Sequence, residues 1–409
     1  MKILVISNLY PPYDIGGYEI LCRDTVEHMK RQGHKVIVLT SYYGLNSPNE
    51  DGDVLRLLEQ QWSPGYKEGH WLLSLLSKHR DVKAFERIVF EQRPDLLLVF
   101  SMNGLPVQLF SAVSKCPVPK VFKVCDKWIV SYKKEISRLL QKFTEQGSHK
   151  GKYFLRRILG HFVNYRIGVN WGEFASGRMA FVSEYLRNSY AENGISVYNC
   201  PIIYNPVDTK VFQPNGTKKM KKKLKILYVS QLLPHKGAHV VLEALTKLIE
   251  KKNDINVTLN IVGTSENTKY LKLLKKIASE HNIEKNIVWH GKVEKKELVN
   301  FYHNNDIFVF PVIWDEPFAL TLIEAMSSGI AVISTATGGS REILRDRENC
   351  LVFPASDATS LSERIVELAR NSDLSRKIAH NASEMVRREF CVNKIMDASE
   401  EFYLREEGA

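Results

Sequence analysis

Short apolar runs of strand length alternate with stretches of helical spacing along this chain, and the alternation starts twice. It runs through residues 2–7, 18–32 and 35–40, with strand-like segments again at 95–100 and 120–125. In the 18–32 stretch Ile20, Thr25, Val26 and Met29 fall on one face, and Gly33 is placed to end the helix. After a turn at Gln213-Pro214-Asn215-Gly216 and a lysine run, Lys218-Lys219-Met220-Lys221-Lys222-Lys223, it restarts. Strands are then expected at 225–230, 257–262, 286–290, 307–311 and 330–334. Repeated βα units call for parallel sheets covered by helices on both faces. Turn residues followed by like charges make a solvated linker, which places a boundary within 206–222.

The 409 residues exceed what one ordinary core needs and suit two domains. The expected division is a first Rossmann-like domain over residues 1–208 and a second over 223–385. A C-terminal helix, 386–409, would pack back on the first. Ligands of such sheets bind beyond the carboxyl ends of the strands, so a cleft between two such domains is the expected place for a site. Residues 130–175 interrupt the pattern with a helical, basic insertion that includes Lys133, Lys134, Arg138 and Lys142. It suits amphipathic helices with a solvated basic face, and equally a patch resting on anionic lipid.

Composition narrows the function classes. No apolar run approaches the roughly 18 residues of a membrane span, and the run at the N-terminus has strand length rather than signal-peptide length. A cytosolic protein is therefore expected, with peripheral contact with an anionic membrane as the open alternative. The six cysteines are scattered without a CxxC or zinc-ligand spacing. A net charge of +11 favours an anionic partner, but no zinc-finger or RNP-type motif points to nucleic acid. No GxGxxG follows the first strand, which counts against a nicotinamide or flavin enzyme.

The segment Trp314-Asp315-Glu316-Pro317-Phe318-Ala319-Leu320, continuing to Glu324, follows the expected strand 307–311. Pro317 suits a first helical turn, so the amides of Phe318, Ala319 and Leu320 are expected to point from a helix start that favours phosphate. Glu324 lies two turns on among apolar residues, and burying it without a partner would cost several kcal/mol. Ribose hydroxyls would serve, as would a basic side chain nearby. A second segment, Val229-Ser230-Gln231-Leu232-Leu233-Pro234-His235-Lys236-Gly237, reads as strand, turn and helix start carrying a lysine. Near the N-terminus Gly16-Gly17 joins the first strand to the first helix, as a ligand-approaching loop or a simple tight turn. Asp126 ends another strand, as a hydroxyl-binding group or a turn cap.

The Glu316/Glu324 pair, an E-x7-E, resembles the signature of the retaining GT-B glycosyltransferases of family 4 (glycosyl transferases group 1). The 229–237 segment is similar to that family's G-R-L-x-x-x-K-G. The resemblance implies an α/β GT-B fold of two Rossmann-like domains with parallel sheets facing a cleft. It implies a hexosyltransferase drawing on a nucleotide diphosphate sugar, UDP-sugar favoured and GDP-sugar possible, with no metal and no further cofactor. The acceptor would be a surface glycan or lipid-linked sugar, with a small soluble acceptor as the rival; an epimerase, a phosphorylase or a non-catalytic nucleotide-sugar-binding subunit of the same architecture are the other readings. Glu316 would then face the donor sugar, Lys236 and the 318–320 amides the diphosphate, and Glu324 the ribose. Gly16, Gly17, Gln231, Gly263 and Val293 would line the donor, and Asp126 would meet a sugar or acceptor hydroxyl. Three positions depart from the family: Gln231 stands where an arginine is usual, Ala319 where a glycine is, and Cys125 where a histidine is. Asp51-Gly52-Asp53 is a DxD expected in a polar loop away from any strand end, and so not a metal site.

Overall fold

The computed structural model describes residues 1–60, 79–144, 178–216, 223–250, 256–265 and 267–405. Chain contacts divide it into two units, one of Met1–Ile203 with Ser399–Ala409 and one of Tyr204–Ala398. The described residues of each unit carry one sheet.

In the first unit the strands are β1 (Lys2–Ser7), β2 (Lys35–Ser41), β3 (Asn49–Asp51), β4 (Val54–Leu58), β5 (Leu96–Ser101), β6 (Lys120–Val124) and β7 (Arg178–Phe181). They lie in the order β3-β4-β2-β1-β5-β6-β7, all parallel except β3 against β4. Among the helices are α1 (Gly17–Arg31), α2 (His79–Gln92), α3 (Val107–Lys115), α4 (Trp128–Thr144) and α5 (Glu184–Glu192). All six side chains of β5, Leu-Leu-Leu-Val-Phe-Ser, are buried. Parallel strands covered on both faces lose the polar alternation of a half-exposed strand, which is why this one reads as a plain apolar run.

The second unit orders its strands β10-β9-β8-β11-β12-β13, all parallel. They are β8 (Lys223–Val229), β9 (Asn256–Val262), β10 (Ile287–Gly291), β11 (Ile307–Phe310), β12 (Ala331–Ser334) and β13 (Leu351–Val352). Around them run α6 (Ala238–Glu250), α7 (Thr268–Glu280), α8 (Lys295–Asn304), α9 (Leu320–Ser327), α10 (Ala358–Arg370) and α11 (Ser372–Glu389), and α12 (Val392–Leu404) begins in this unit and ends in the first. The core joins Leu224, Ile226 and Tyr228 of β8 to Val240, Val241 and Leu245 of α6 and to Ile307 and Val309 of β11. A fully buried aliphatic side chain contributes about 1.5–3 kcal/mol, so this cluster fixes the sheet order.

That order sets up the site. From β8 the chain moves outward to β9 and β10, then returns to lay β11 on the other side of β8. The loops after β8 and β11 therefore diverge from neighbouring strands at a topological switch point, where ligands of such sheets bind.

Two expectations are corrected. Asp51-Gly52-Asp53 is no open loop: Asp51 pairs with Val54 in the antiparallel β3–β4 hairpin, and Gly52-Asp53 is its two-residue turn. Asp53 forms an ion pair with Lys30 at 3.2 Å. The C-terminal segment is not one helix from 386, since α11 ends at Glu389 and α12 begins at Val392. Only from Ser399 does the chain belong with the first unit. There Glu400 accepts from His28 and His34 at 3.1 and 2.8 Å, and Arg178 donates to the Tyr403 carbonyl at 2.9 Å. Of the basic insertion, residues 145–177 lie outside the described residues. In the described part Lys133 is a brace, donating to the carbonyls of Asn193 and Gly194 at 2.8 Å.

Candidate active site

At the switch point of the second unit, strand β8 ends and a short 3-10 turn, Pro234–Lys236, follows. Gly237 then adopts φ 75°, a left-handed conformation that costs glycine nothing. A Cβ on Gly237 would lie 2.0 Å from the Pro311 carbonyl oxygen, so the two loops touch backbone to backbone. The Ile313 amide donates to the His235 carbonyl at 2.9 Å and completes the junction.

This junction brings Lys236 to Glu316. The ammonium meets Oε2 of the carboxylate at 2.5 Å, with both side chains about 15% exposed. The Trp314 indole N–H donates to the same oxygen at 2.8 Å, and the Lys236 ammonium lies 5.5 Å from the centre of the Trp314 ring. The His235 ring meets Trp314 at 5.0 Å and 63°. Burial first, and the Lys236 charge second, hold the His235 pKa below its usual value. Charge-assisted bonds at this depth fix both partners more firmly than a surface pair would.

The helix after Glu316 starts later than the sequence suggests. Pro317 and Phe318 are buried in a non-helical segment, Ala319 is the N-cap, and α9 begins at Leu320. Phe318 is held there by aromatic contacts with Tyr204 and Phe390 at ring distances of 5.5 and 5.9 Å. The amides without a carbonyl four residues back inside the helix are therefore those of Leu320, Thr321 and Leu322, rather than of residues 318–320. Ala319 has φ −99° and ψ 111°, ordinary extended values, so a residue with a Cβ sits there without strain.

Glu324, 4% exposed, lies on α9 with partners the sequence did not disclose. The Tyr302 hydroxyl donates to Oε2 at 3.4 Å, and Lys295 lies 3.8 Å from Oε1. Burial still raises its pKa from 4.5 to about 7, against the opposing pull of Lys295 and then Tyr302.

Other expected positions fall around the same strand ends or in the first unit. Gly263 follows β9, and its amide donates to the Gly291 carbonyl at 2.8 Å. Its φ is 138°, and a Cβ would strike the Ser230 carbonyl. Gln231 is exposed at the end of β8, and Val293 is half-buried between β10 and α8. Gly338 and Gly339, in the turn after β12, spend their amides internally on Asp315 Oδ1 and the Glu316 carbonyl at 3.0 and 2.8 Å. In the first unit, the Gly16 amide donates to the buried Glu19 carboxylate at 3.0 Å, while Gly17 opens α1 exposed. Burial lifts the Glu19 pKa to about 7. Asp126 Oδ1 accepts from the Trp128 amide at 2.9 Å, as a turn cap does, and burial lifts its pKa to about 6. Cys125 beside it is pushed up to about 12 by burial and stays a thiol.

A charge pair, a helix start and a buried acid thus follow the neighbouring strands β8 and β11. The profile described as glycosyl transferases group 1 matches residues 210–385, and that described as glycosyltransferase family 4 matches 15–211. The chain belongs to the group 1 glycosyltransferases. An uncharacterized glycosyltransferase of Methanocaldococcus jannaschii is 24% identical over 94% of this chain and 93% of its own. A phosphatidyl-myo-inositol mannosyltransferase of Mycobacterium leprae is 30% identical over 38% of this chain and 39% of its own. Among solved structures, the GT-B fold is shared with sucrose-phosphate synthase from Thermosynechococcus elongatus, at TM-score 0.73 and 19% identity over 98% of each chain. Anabaena HepE in complex with UDP has TM-score 0.68 and 17% identity, over 98% of this chain and 99% of that one. The protein is thus a glycosyltransferase of GT-B type. No described helix of this glycosyltransferase is long and apolar enough to cross a membrane.

Gly237→Ala should destabilise the second unit by about 2 kcal/mol or more, because alanine is strained at φ 75° and its Cβ meets backbone that cannot yield. A fall of about 4–8 °C in the melting temperature, followed by calorimetry, is the expected result.

Proposed function

We propose that this glycosyltransferase transfers a hexose from UDP with retention of configuration, using its second unit to hold the donor. The observation that carries the reading is the Lys236–Glu316 pair beside the α9 start. Glu316 receives hydroxyls of the donor sugar. Lys236 and the amides of Leu320, Thr321 and Leu322 take up the charge that develops on the departing diphosphate. Fixed donors aimed at developing charge need no reorganisation when the bond breaks, and each is worth about 2–4 kcal/mol. Glu324 accepts from the ribose hydroxyls, with Tyr302 and Lys295 holding the carboxylate. Gln231, Gly263 and Val293 line the base and diphosphate side. UDP is favoured because HepE, which shares the fold, has been solved in complex with UDP and with UDP-glucose.

In the retaining route the acceptor hydroxyl attacks on the face from which UDP leaves. The departing phosphate oxygen takes the hydroxyl proton while the anomeric carbon–oxygen bond breaks. Of the first unit, Gly16 and Gly17 serve the donor phosphate and the acceptor, Asp126 meets a sugar or acceptor hydroxyl, and the acceptor is a growing surface glycan or a lipid-linked sugar. The similarity to a phosphatidyl-myo-inositol mannosyltransferase supports a lipid-borne acceptor. With cationic and amide donors in place for the diphosphate, the reaction needs no metal ion.

The reading is tested by assaying sugar release or transfer from UDP-hexoses. Glu316→Gln and Lys236→Ala should each lower kcat about a hundredfold or more while the protein still melts cooperatively. Near wild-type rates in both folded variants would refute it. Turnover should survive excess EDTA, and loss in EDTA restored by manganese would contradict metal independence.

The Glu324 pKa gives a sign for pH. A carboxylate can accept both ribose hydroxyl protons only when ionised, and burial keeps Glu324 protonated up to about pH 7. Affinity for a UDP-hexose, whose diphosphate does not titrate there, should rise with pH up to about 7 and level off above it. In the free protein the sign is opposite. The unfolded chain loses this proton near 4.5 and the folded one near 7, so stability falls as pH rises between them. Glu324→Gln should flatten the affinity profile, measured by calorimetric titration.

A further inference from the structure

The arrangement of donors on Glu316 assigns a role to a side chain outside the motif itself. Among the described residues two hydrogen bonds reach this carboxylate, from Lys236 Nζ and Trp314 Nε1, and both end on Oε2. An ionised carboxylate offers about four acceptor positions, two on each oxygen. Oε2 is saturated, and Oε1 keeps its capacity.

The terminal torsion of a glutamate is broad and roughly two-fold, so a carboxylate held by one cation can swing freely about it. An ammonium with three donors can also bridge both oxygens. In that state Oε1 would turn towards Lys236 and away from the donor sugar. An indole N–H is a single donor with no acceptor capacity, fixed in a rigid ring. Seated on Oε2 at 2.8 Å, it opposes this swing and leaves Oε1 directed elsewhere.

The ring is itself well anchored. One side lies near the Lys236 ammonium and the ring packs at an angle against His235, so Trp314 spans the loops after β8 and β11 while remaining 39% exposed. Indoles favour places where an apolar body meets water and the N–H finds a partner. An exposed tryptophan is ordinary enough. One whose only polar atom is spent on a carboxylate already bound to lysine is less so.

We propose that Trp314 is a positioning residue for sugar transfer: with Lys236 it saturates Oε2 of Glu316 and so presents Oε1 to the donor sugar's hydroxyls. This rests on Glu316 being the sugar-facing carboxylate. Because the indole acts on the sugar end of the site, binding of UDP itself does not need it.

Trp314→Phe keeps a ring and removes the donor. Its kcat with a UDP-hexose should fall about tenfold or more, while UDP affinity stays within about twofold and the melting temperature within about 2 °C. Because Trp314 works through Glu316, combining it with Glu316→Gln should add little to the loss caused by Glu316→Gln alone. Unchanged kcat in Trp314→Phe overturns the proposal. So do losses that multiply in the double variant, or a kcat that falls in step with UDP affinity and melting temperature, as a purely structural role would give. A fully active Glu316→Gln protein would instead remove the role given to Glu316, a separately legible failure.

Discussion

Everything at the candidate site depends on β8 and β11 being neighbours. Because the chain leaves β8 in one direction and returns to its other side, loops separated by some eighty residues meet at one point. The contact is enforced at the backbone, where Gly237 allows the Pro311 carbonyl within reach and Ile313 bonds to His235. Only then can a lysine and a glutamate, each about 85% buried, offset one another's desolvation. If either were removed alone, the other would remain as an uncompensated charge in the same pocket of structure. The pair thus belongs to the architecture and, in the proposed reaction, to the chemistry as well.

Glu324 solves its burial differently. Its nearest cation is 3.8 Å away and its hydroxyl partner is at 3.4 Å, both long, so the carboxyl is poised between its charged and neutral forms. In the proposed function a loosely satisfied acid suits a group that accepts stronger hydrogen bonds from a ligand, whereas Glu19 in the first unit closes on its own Gly16 amide at 3.0 Å and caps α1. Two carboxyls with similarly raised pKa values therefore differ in what remains open on them. The geometry of their partners separates them, and the shift alone does not.

Much of this was legible in the residues. The parallel strands declared themselves because both faces are covered and their apolar runs are nearly unbroken, as in Ile307–Phe310. Glu316, Lys236 and Glu324 stood out through their spacing after such strands. What escaped depended on partners far off in sequence. The β3–β4 hairpin was hidden by the polar Asn49-Glu50-Asp51 and by Arg56, whose buried guanidinium makes sense only through its bonds to the Tyr10 and Pro11 carbonyls. The start of α9 was misjudged by three residues because Phe318 is drawn into an aromatic cluster with Tyr204 and Phe390, over a hundred residues before it and some seventy after. Tyr302 and Lys295 gave no local sign of serving Glu324. Trp314 lay inside the informative segment, but its direction could not be read from its position.

The replacement of the family's arginine by Gln231 sharpens what Lys236 must do. An arginine would bring a permanent charge and a bidentate fork to the diphosphate, leaving the lysine free to pair with Glu316. Glutamine at this exposed position brings no charge. In the proposed reaction the ammonium serves two anions, and it can do so because a single oxygen of Glu316 holds it through one of its three protons. Dispersed positive potential from the α9 amides makes up part of the deficit, since a helix start carries about half a unit charge. A site built this way leans on the orientation of one carboxylate more heavily than a site with a second cation. On that account the indole that fixes the carboxylate matters more here than it would beside an arginine.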